Sequence, residues 1–288
     1  MIPFAATTHP GLRREKNEDN FEADEALGLW VVADGVGGHS NGEVASAIAC
    51  ATIREGISKG VALTRAIENA HQAVLGEINV RDAGNNMGTT VVALRVTGND
   101  YEVAWVGDSR AYLYDGKLKR LTRDHSAVND LLDSGAITAD QAASHPQRHA
   151  LTRSLGVSVT NASRVSSVTG RFKAGQQLLL CTDGLTDELT DQAIENELAQ
   201  SRDPQTLVDS LLAAALAKGG RDNLTLIVLG SPRRKGRSKK EAAPDLATTQ
   251  NIAARVQPKR PNRYKAVRLS LMLLVLVAIA AAVMLITL

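Results

Sequence analysis

Four aspartates stand where apolar runs break. Asp34 ends LWVVAD, Asp108 ends YEVAWVGD, Asp183 follows QQLLLCT, and Asp222 precedes NLTLIVLG. Each run is short and rich in β-branched residues or leucine, which predicts a buried strand. A carboxylate at a strand end is fixed by the sheet while its oxygens face outward. Four such ends converging on one sheet edge would form an oxygen-only pocket of the kind hard divalent cations select. Glycines 35, 107 and 184 adjoin three of these acids and would let backbone or a phosphate come close, and the carbonyl of Gly35 would lie open to a cation. An Asp-Gly turn closing a core strand accounts for any one of these sites. The fourfold recurrence is what points to a multi-metal centre.

Upstream of the first run, GLRREKNEDN (11–20) packs charge into ten residues. It reads either as a solvated loop or as a functional one. In the functional reading an arginine holds a phosphate through its bidentate fork, beside acids that orient water. The six histidines, at 9, 39, 71, 125, 145 and 149, are scattered without the spacing of a ligand pair. Cys50 and Cys181 lie inside apolar runs and read as small buried hydrophobes, not as a disulfide.

The elements that must position these acids follow from periodicity. Residues 41–59 and 64–80 carry apolar side chains at helical spacing, with Asn41 as a cap. MGTTVVALRV (87–96) and 101–122 read as consecutive strands, separated by TGND and then by the hairpin signal Asp115-Gly116. Between Asp124 and Arg153 the pattern breaks into short helical pieces such as 126–133, as expected of a flap over the strand edge. Strands return at 162–168 and 177–181, helices at 190–200 and 204–217, and a last strand at 224–229. Strands joined by hairpins predict antiparallel sheets, and helices arriving in pairs predict packing on their outer faces. The expected fold is α+β, a four-layer α-β-β-α sandwich of two antiparallel sheets flanked by helix pairs, with a C-terminal transmembrane helix.

Composition divides the chain. Of 288 residues with net charge +2, the stretch 233–268 holds twelve Lys or Arg against two acids, so it carries +10 and the remainder −8. An acidic folded domain argues against nucleic-acid binding. The N-terminus has no apolar core of signal-peptide length, so the domain is expected in the cytoplasm. Residues 231–266 read as a basic flexible linker and 267–288 as a transmembrane helix, since Leu269–Leu288 is twenty residues without a charge. Six basic residues from Arg255 to Arg268 precede it, and the positive-inside rule then keeps domain 1–230 on the inner face of the membrane.

The motifs GLRREKNED, VVADGVGGHS, MGTT, VGDSRAY, CTDGLTD and GGRDNLTLIV, in that order over residues 1–230, resemble those of the bacterial metal-dependent (type 2C, PPM) protein serine/threonine phosphatases. The resemblance implies an α-β-β-α sandwich with Mn²⁺ or Mg²⁺ at the sheet edge, acting on phosphoserine and phosphothreonine. By motif, Asp34 would bridge two ions, the carbonyl of Gly35 would bind one, and Asp183 and Asp222 would complete the pair. Asp108 resembles the ligand of a third, weaker ion shared with Asp183. Arg14 matches the phosphate-binding arginine, and Glu18 and Asp19 match acids that hold metal-bound waters.

The chain departs from the pattern at Val36. Animal members carry there a histidine held to protonate the leaving group, and His39, three residues on, does not replace it. A water on the third ion near Asp108 is a candidate donor. The expected partners are phosphorylated proteins, a serine/threonine kinase and its substrates, and the membrane, with the enzyme a monomer. The alternative function is a catalytically weak phosphoprotein-binding or scaffolding module of the same fold.

Overall fold

The computed structural model describes residues 1–37, 41–81, 87–143, 145–157 and 164–230. In chain order the elements are β1 (Phe4–His9), β2 (Asn20–Asp24), β3 (Leu29–Ala33), β4 (Gly35–Gly37), α1 (Asn41–Ser58), α2 (Leu63–Arg81), β5 (Met87–Thr89), β6 (Val91–Thr97), β7 (Asp100–Val106), β8 (Arg110–Tyr114) and β9 (Leu118–Arg120). Then follow α3 (Ala127–Asp133), α4 (Ala139–Ala143), β10 (Ser166–Arg171), β11 (Gln177–Cys181), α5 (Asp183–Thr186), α6 (Asp191–Gln200), α7 (Pro204–Lys218) and β12 (Leu224–Leu229). Two five-stranded antiparallel sheets form, one ordered β1-β12-β11-β8-β9 and the other β10-β7-β6-β3-β2, with a small β4-β5 ribbon beside them.

The continuous apolar runs have a direct cause: both faces of each central strand are covered, so the period-2 alternation is apolar on both sides. In β3, Trp30 and Val32 face the space between the sheets, where they meet Leu178 and Leu180 of β11 and Ile227 and Leu229 of β12. Leu29, Val31 and Ala33 face the other way, onto Ala49, Ile53 and Ile57 of α1 and Ala66, Ile67 and Ala70 of α2. On the opposite sheet, Leu179, Leu226 and Val228 meet Ile194 and Leu198 of α6 and Leu207, Val208 and Leu211 of α7. Phe4 and Trp30 tie the two sheets edge to face, with ring centroids 5.8 Å apart. The layering is therefore α-β-β-α, and the helix pairs are those expected.

Several expectations need correction. The run 87–96 is two strands, not one. Thr90 breaks it because its N–H bonds the Asp34 carbonyl at 2.8 Å and its Oγ1 accepts from the Asp34 N–H at 3.2 Å. Residues 35–37, read as a turn, form β4 against β5. The strand expected at 162–168 is Ser166–Arg171, in register from Ser166 opposite Trp105 to Arg171 opposite Asp100; residues 162 and 163 lie outside the described residues. Strand β1, which no periodicity announced, is an edge strand paired along its whole length with β12. Among the described residues no helix is long and apolar enough to cross a membrane; the linker 231–266 and the helix expected at 267–288 lie outside them.

Candidate active site

Each acid sits where its strand stops. Asp34 follows β3, Asp108 follows β7, Asp183 opens α5 after β11, and Asp222 lies two residues ahead of β12. All four line one cleft of about 1060 Å³, together with Arg14, Glu18 and Gly35. Of the residues the family motifs assign to metal, water or phosphate, Asp19 alone does not line it. Asp19 is buried, held by the Thr182 hydroxyl, and its charge adds to burial in raising the Asp34 carboxyl.

Close backbone approach builds the floor. A Cβ at Gly35 would stand 2.1 Å from the Gly42 carbonyl oxygen and 2.5 Å from that of Glu18. At Gly184 it would stand 1.9 Å from the carbonyl oxygen of Asn223. These glycines therefore bring neighbouring loops into contact, which is what carries Glu18 to Asp34 and Asp183 to Asp222. The Asp34 and Asp108 loops are joined by a 2.7 Å hydrogen bond between Thr90 Oγ1 and Ser109 Oγ.

The electrostatics are those of a site short of positive charge. Burial, and then the repulsion of the neighbouring acids, drives the Asp34 carboxyl well above the ordinary range. Asp183 is pushed to about 6 by burial and then by Asp187 and Asp222. Asp108 reaches about 8 through burial, then Asp183 and Asp124. Asp19 reaches about 7, chiefly through burial. Asp34 and Asp183 share that cost of ionisation with further acids of the cleft, a clustering of buried carboxyls that a proton or a cation relieves. Asp19 Oδ2 accepts from Thr182 Oγ1 at 2.9 Å, while its buried Oδ1 has no hydrogen-bond partner.

Over this floor reaches Arg14, more than half exposed, whose Nη2 donates to Asp222 Oδ2 at 2.7 Å. Arg13 and Lys16 line the same cleft beside it. Val36 is an exposed apolar wall beside it, with no proton to give.

The structure also gathers residues that the sequence did not single out. His149, read as unpaired, stands with Asp183 and Asp187, their ligand atoms within 4.8 Å of one another, and its Nδ1 lies 3.5 Å from Asp187 Oδ2. The flap brings His149 there from a distant part of the chain, so no local spacing announces the group. His125 serves the fold differently: its Nδ1 accepts from the Gly107 N–H at 3.1 Å and its own N–H bonds the Gly107 carbonyl, steadying the turn before Asp108. Asn223 is the other unannounced residue, and only the fold gives it a role.

Comparison with known proteins follows the same line. A family model described as protein phosphatase 2C matches residues 13–227. The serine/threonine protein phosphatase PstP of Mycobacterium tuberculosis is 35% identical over 236 residues, covering 79% of this chain and 45% of PstP. The serine/threonine phosphatase stp of Listeria monocytogenes is 36% identical over 236 residues, covering 77% of this chain and 93% of stp. The crystal structure of the catalytic domain of PstP in complex with two manganese ions superposes with a TM-score of 0.71 and 31% identity, covering 81% of this chain and 99% of that domain.

The chain belongs to the protein phosphatase 2C family, whose members are metal-dependent phosphoprotein phosphatases. It spans about half the length of PstP and nearly all of the Listeria enzyme.

Proposed function

We propose that this chain hydrolyses phosphoserine and phosphothreonine in proteins, with Mn²⁺ or Mg²⁺ held at the acidic cleft. The observation that carries the reading is the convergence of Asp34, Asp108, Asp183 and Asp222 on one cleft under the guanidinium of Arg14. The site suits such ions on its own chemistry. The groups offered by Asp34, Gly35, Asp108, Asp183 and Asp222 are all oxygens, the buried acids raise one another's pKa, and one buried carboxylate oxygen of Asp19 is left without a partner. Asp34, the Gly35 carbonyl, Asp183 and Asp222 would hold two ions, and Asp108 with Asp183 a third. When bound, the ions supply an acidified water as nucleophile and positive charge opposite the phosphoryl oxygens.

The chain's own residues do the rest. Arg14 grips the phosphate through the face of its fork not engaged by Asp222. Asp222 in turn fixes where that fork points. Glu18, lining the cleft, and Asp19, whose buried Oδ1 is unpartnered, would orient water through their carboxylate oxygens. No side chain at Val36 protonates the departing oxygen, so that proton comes from elsewhere in the cleft. Substrates would be the phosphorylated targets of a serine/threonine kinase, and the kinase itself.

Membrane tethering is part of the proposal and rests on sequence alone. The uncharged run Leu269–Leu288 behind a basic stretch supports a single-pass anchor with the catalytic domain on the inner face. Release of phosphate from an aryl phosphate, with and without Mn²⁺, tests the chemistry. Absence of turnover would favour the binding-module alternative. Cutting the chain after Gly230 should leave that rate intact and move the protein wholly from the membrane to the soluble fraction. A soluble full-length protein, or an inactive truncated one, would contradict the anchor.

A further inference from the structure

The side-chain amide of Asn223, buried at the start of β12, sits inside the loop that carries Arg14. Its Nδ2 donates to the Pro10 carbonyl at 3.0 Å and to the Lys16 carbonyl at 2.8 Å, and its Oδ1 accepts from the Glu18 N–H at 2.8 Å. Both donor hydrogens and the acceptor are used, and the opposite amide orientation would set an oxygen against two carbonyls. Arg14 lies within the segment so pinned, between Pro10 and Lys16. The same residue's backbone N–H holds Asp222 Oδ1 at 2.8 Å while Arg14 holds Asp222 Oδ2 at 2.7 Å, so both ends of the arginine-carboxylate pair are referred to Asn223. Residue 11 must be glycine for this closure: its φ is +79° and a Cβ would lie 2.2 Å from the Asp222 carbonyl oxygen. Leu12 N–H completes the seam on the Gly220 carbonyl.

We propose that Asn223 is the positioning residue for phosphate recognition, acting through Arg14 by fixing the loop 10–18 against the strand end that bears Asp222. This rests on the reading of Arg14 as the phosphate grip. An exposed arginine on an unpinned loop would sample many orientations, and ordering it would then be charged against substrate binding.

The test uses the full chain loaded with Mn²⁺, with inorganic phosphate as the probe, its binding read by calorimetry and as a competitive inhibition constant. Asn223→Ala and the isosteric Asn223→Asp, which keeps the acceptor for Glu18 and loses both donors, should each weaken phosphate about 10-fold and raise KM more than they lower kcat. Mn²⁺ affinity should stay near that of the unaltered protein in Asn223→Ala, while Tm falls but folding persists; Tm should fall further in Asn223→Asp, whose carboxylate sets an oxygen against the Pro10 and Lys16 carbonyls. In the double variant Arg14→Ala/Asn223→Ala, the second change should add little to the first, because both remove one interaction.

Full additivity, or unaltered phosphate binding in the Asn223 variants while Arg14→Ala weakens it, would overturn the inference. So would unfolding of both Asn223 variants, which would assign the residue to the fold alone. If Arg14→Ala itself leaves phosphate binding unaltered, the fault lies in the assignment of Arg14.

Discussion

Neutralising one acid of the cleft should stabilise the metal-free protein, and Asp108→Asn shows how. Its carboxyl is pushed to about 8 by burial and then by Asp183 and Asp124, against an ordinary value of 3.8. The folded-state affinity for the proton is thus raised, which sets the sign. Below about pH 4 both folded and unfolded chains are protonated there and nothing is lost. Between about 4 and 8 the unfolded chain ionises first, and the fold loses stability as pH rises; above about 8 the full cost is present. Each tenfold change in proton affinity is worth about 1.4 kcal/mol, and roughly half is discounted here because the cleft is open to solvent. That leaves about 2–3 kcal/mol at pH 8, or about 4–12 °C in Tm for a domain of this size. Thermal melts of the chelator-treated protein from pH 5 to 9 read it directly. The unaltered protein should lose Tm across that range, Asp108→Asn should lose less, and Mn²⁺ should largely abolish the difference. A metal-free Asp108→Asn that melts at or below the unaltered protein at pH 8 would refute the electrostatic account of the site.

Asp34→Ala or Asp222→Ala should lower hydrolysis of an aryl phosphate by more than about 100-fold while the circular dichroism spectrum stays that of the folded protein; near-normal rates in either would contradict the assignment. Arg14→Ala should cut kcat/KM about 10–100-fold, mostly through KM, and Arg14→Lys should recover only part, since a point charge replaces a fork. Gly184→Ala should lower stability by about 2 kcal/mol or more in a melt, because its Cβ would fall 1.9 Å from the Asn223 carbonyl oxygen and neither backbone can yield cheaply.

What was legible in the sequence was the hydrophobic skeleton and the acids that interrupt it. Strands β3, β11 and β12 match their expected bounds because burial on both faces writes an unbroken apolar run. Asp34, Asp108, Asp183 and Asp222 were findable for the same reason: a charge ending such a run has nowhere to go but the sheet edge. Strand β1 was not legible, since FAATTH holds its place by pairing with β12 and only Ala5 of its six residues is buried, so no apolar run marks it.

Glu18 and Asp19 look alike as neighbours in a charged loop, yet one lines the cleft and the other is buried. That difference is set by the entry of the chain into β2 opposite Ala33, a pairing between distant segments. Asn223 reads as an ordinary turn residue beside an aspartate until the loop 10–18 folds around it. His149 likewise joins Asp183 and Asp187 only through the course of the flap. Local propensity carries no record of contacts closed across the whole chain.

The central claim, that the acidic cleft performs metal-dependent dephosphorylation, is tested most directly by phosphate release from a phosphothreonine peptide. The measurement compares chelator-treated full-length protein before and after stepwise addition of Mn²⁺, with Asp34→Asn beside it. The account predicts no release without metal, a saturable rise with Mn²⁺, and no rise in Asp34→Asn. Release that persists in the chelated protein, or that appears equally in Asp34→Asn, would contradict it.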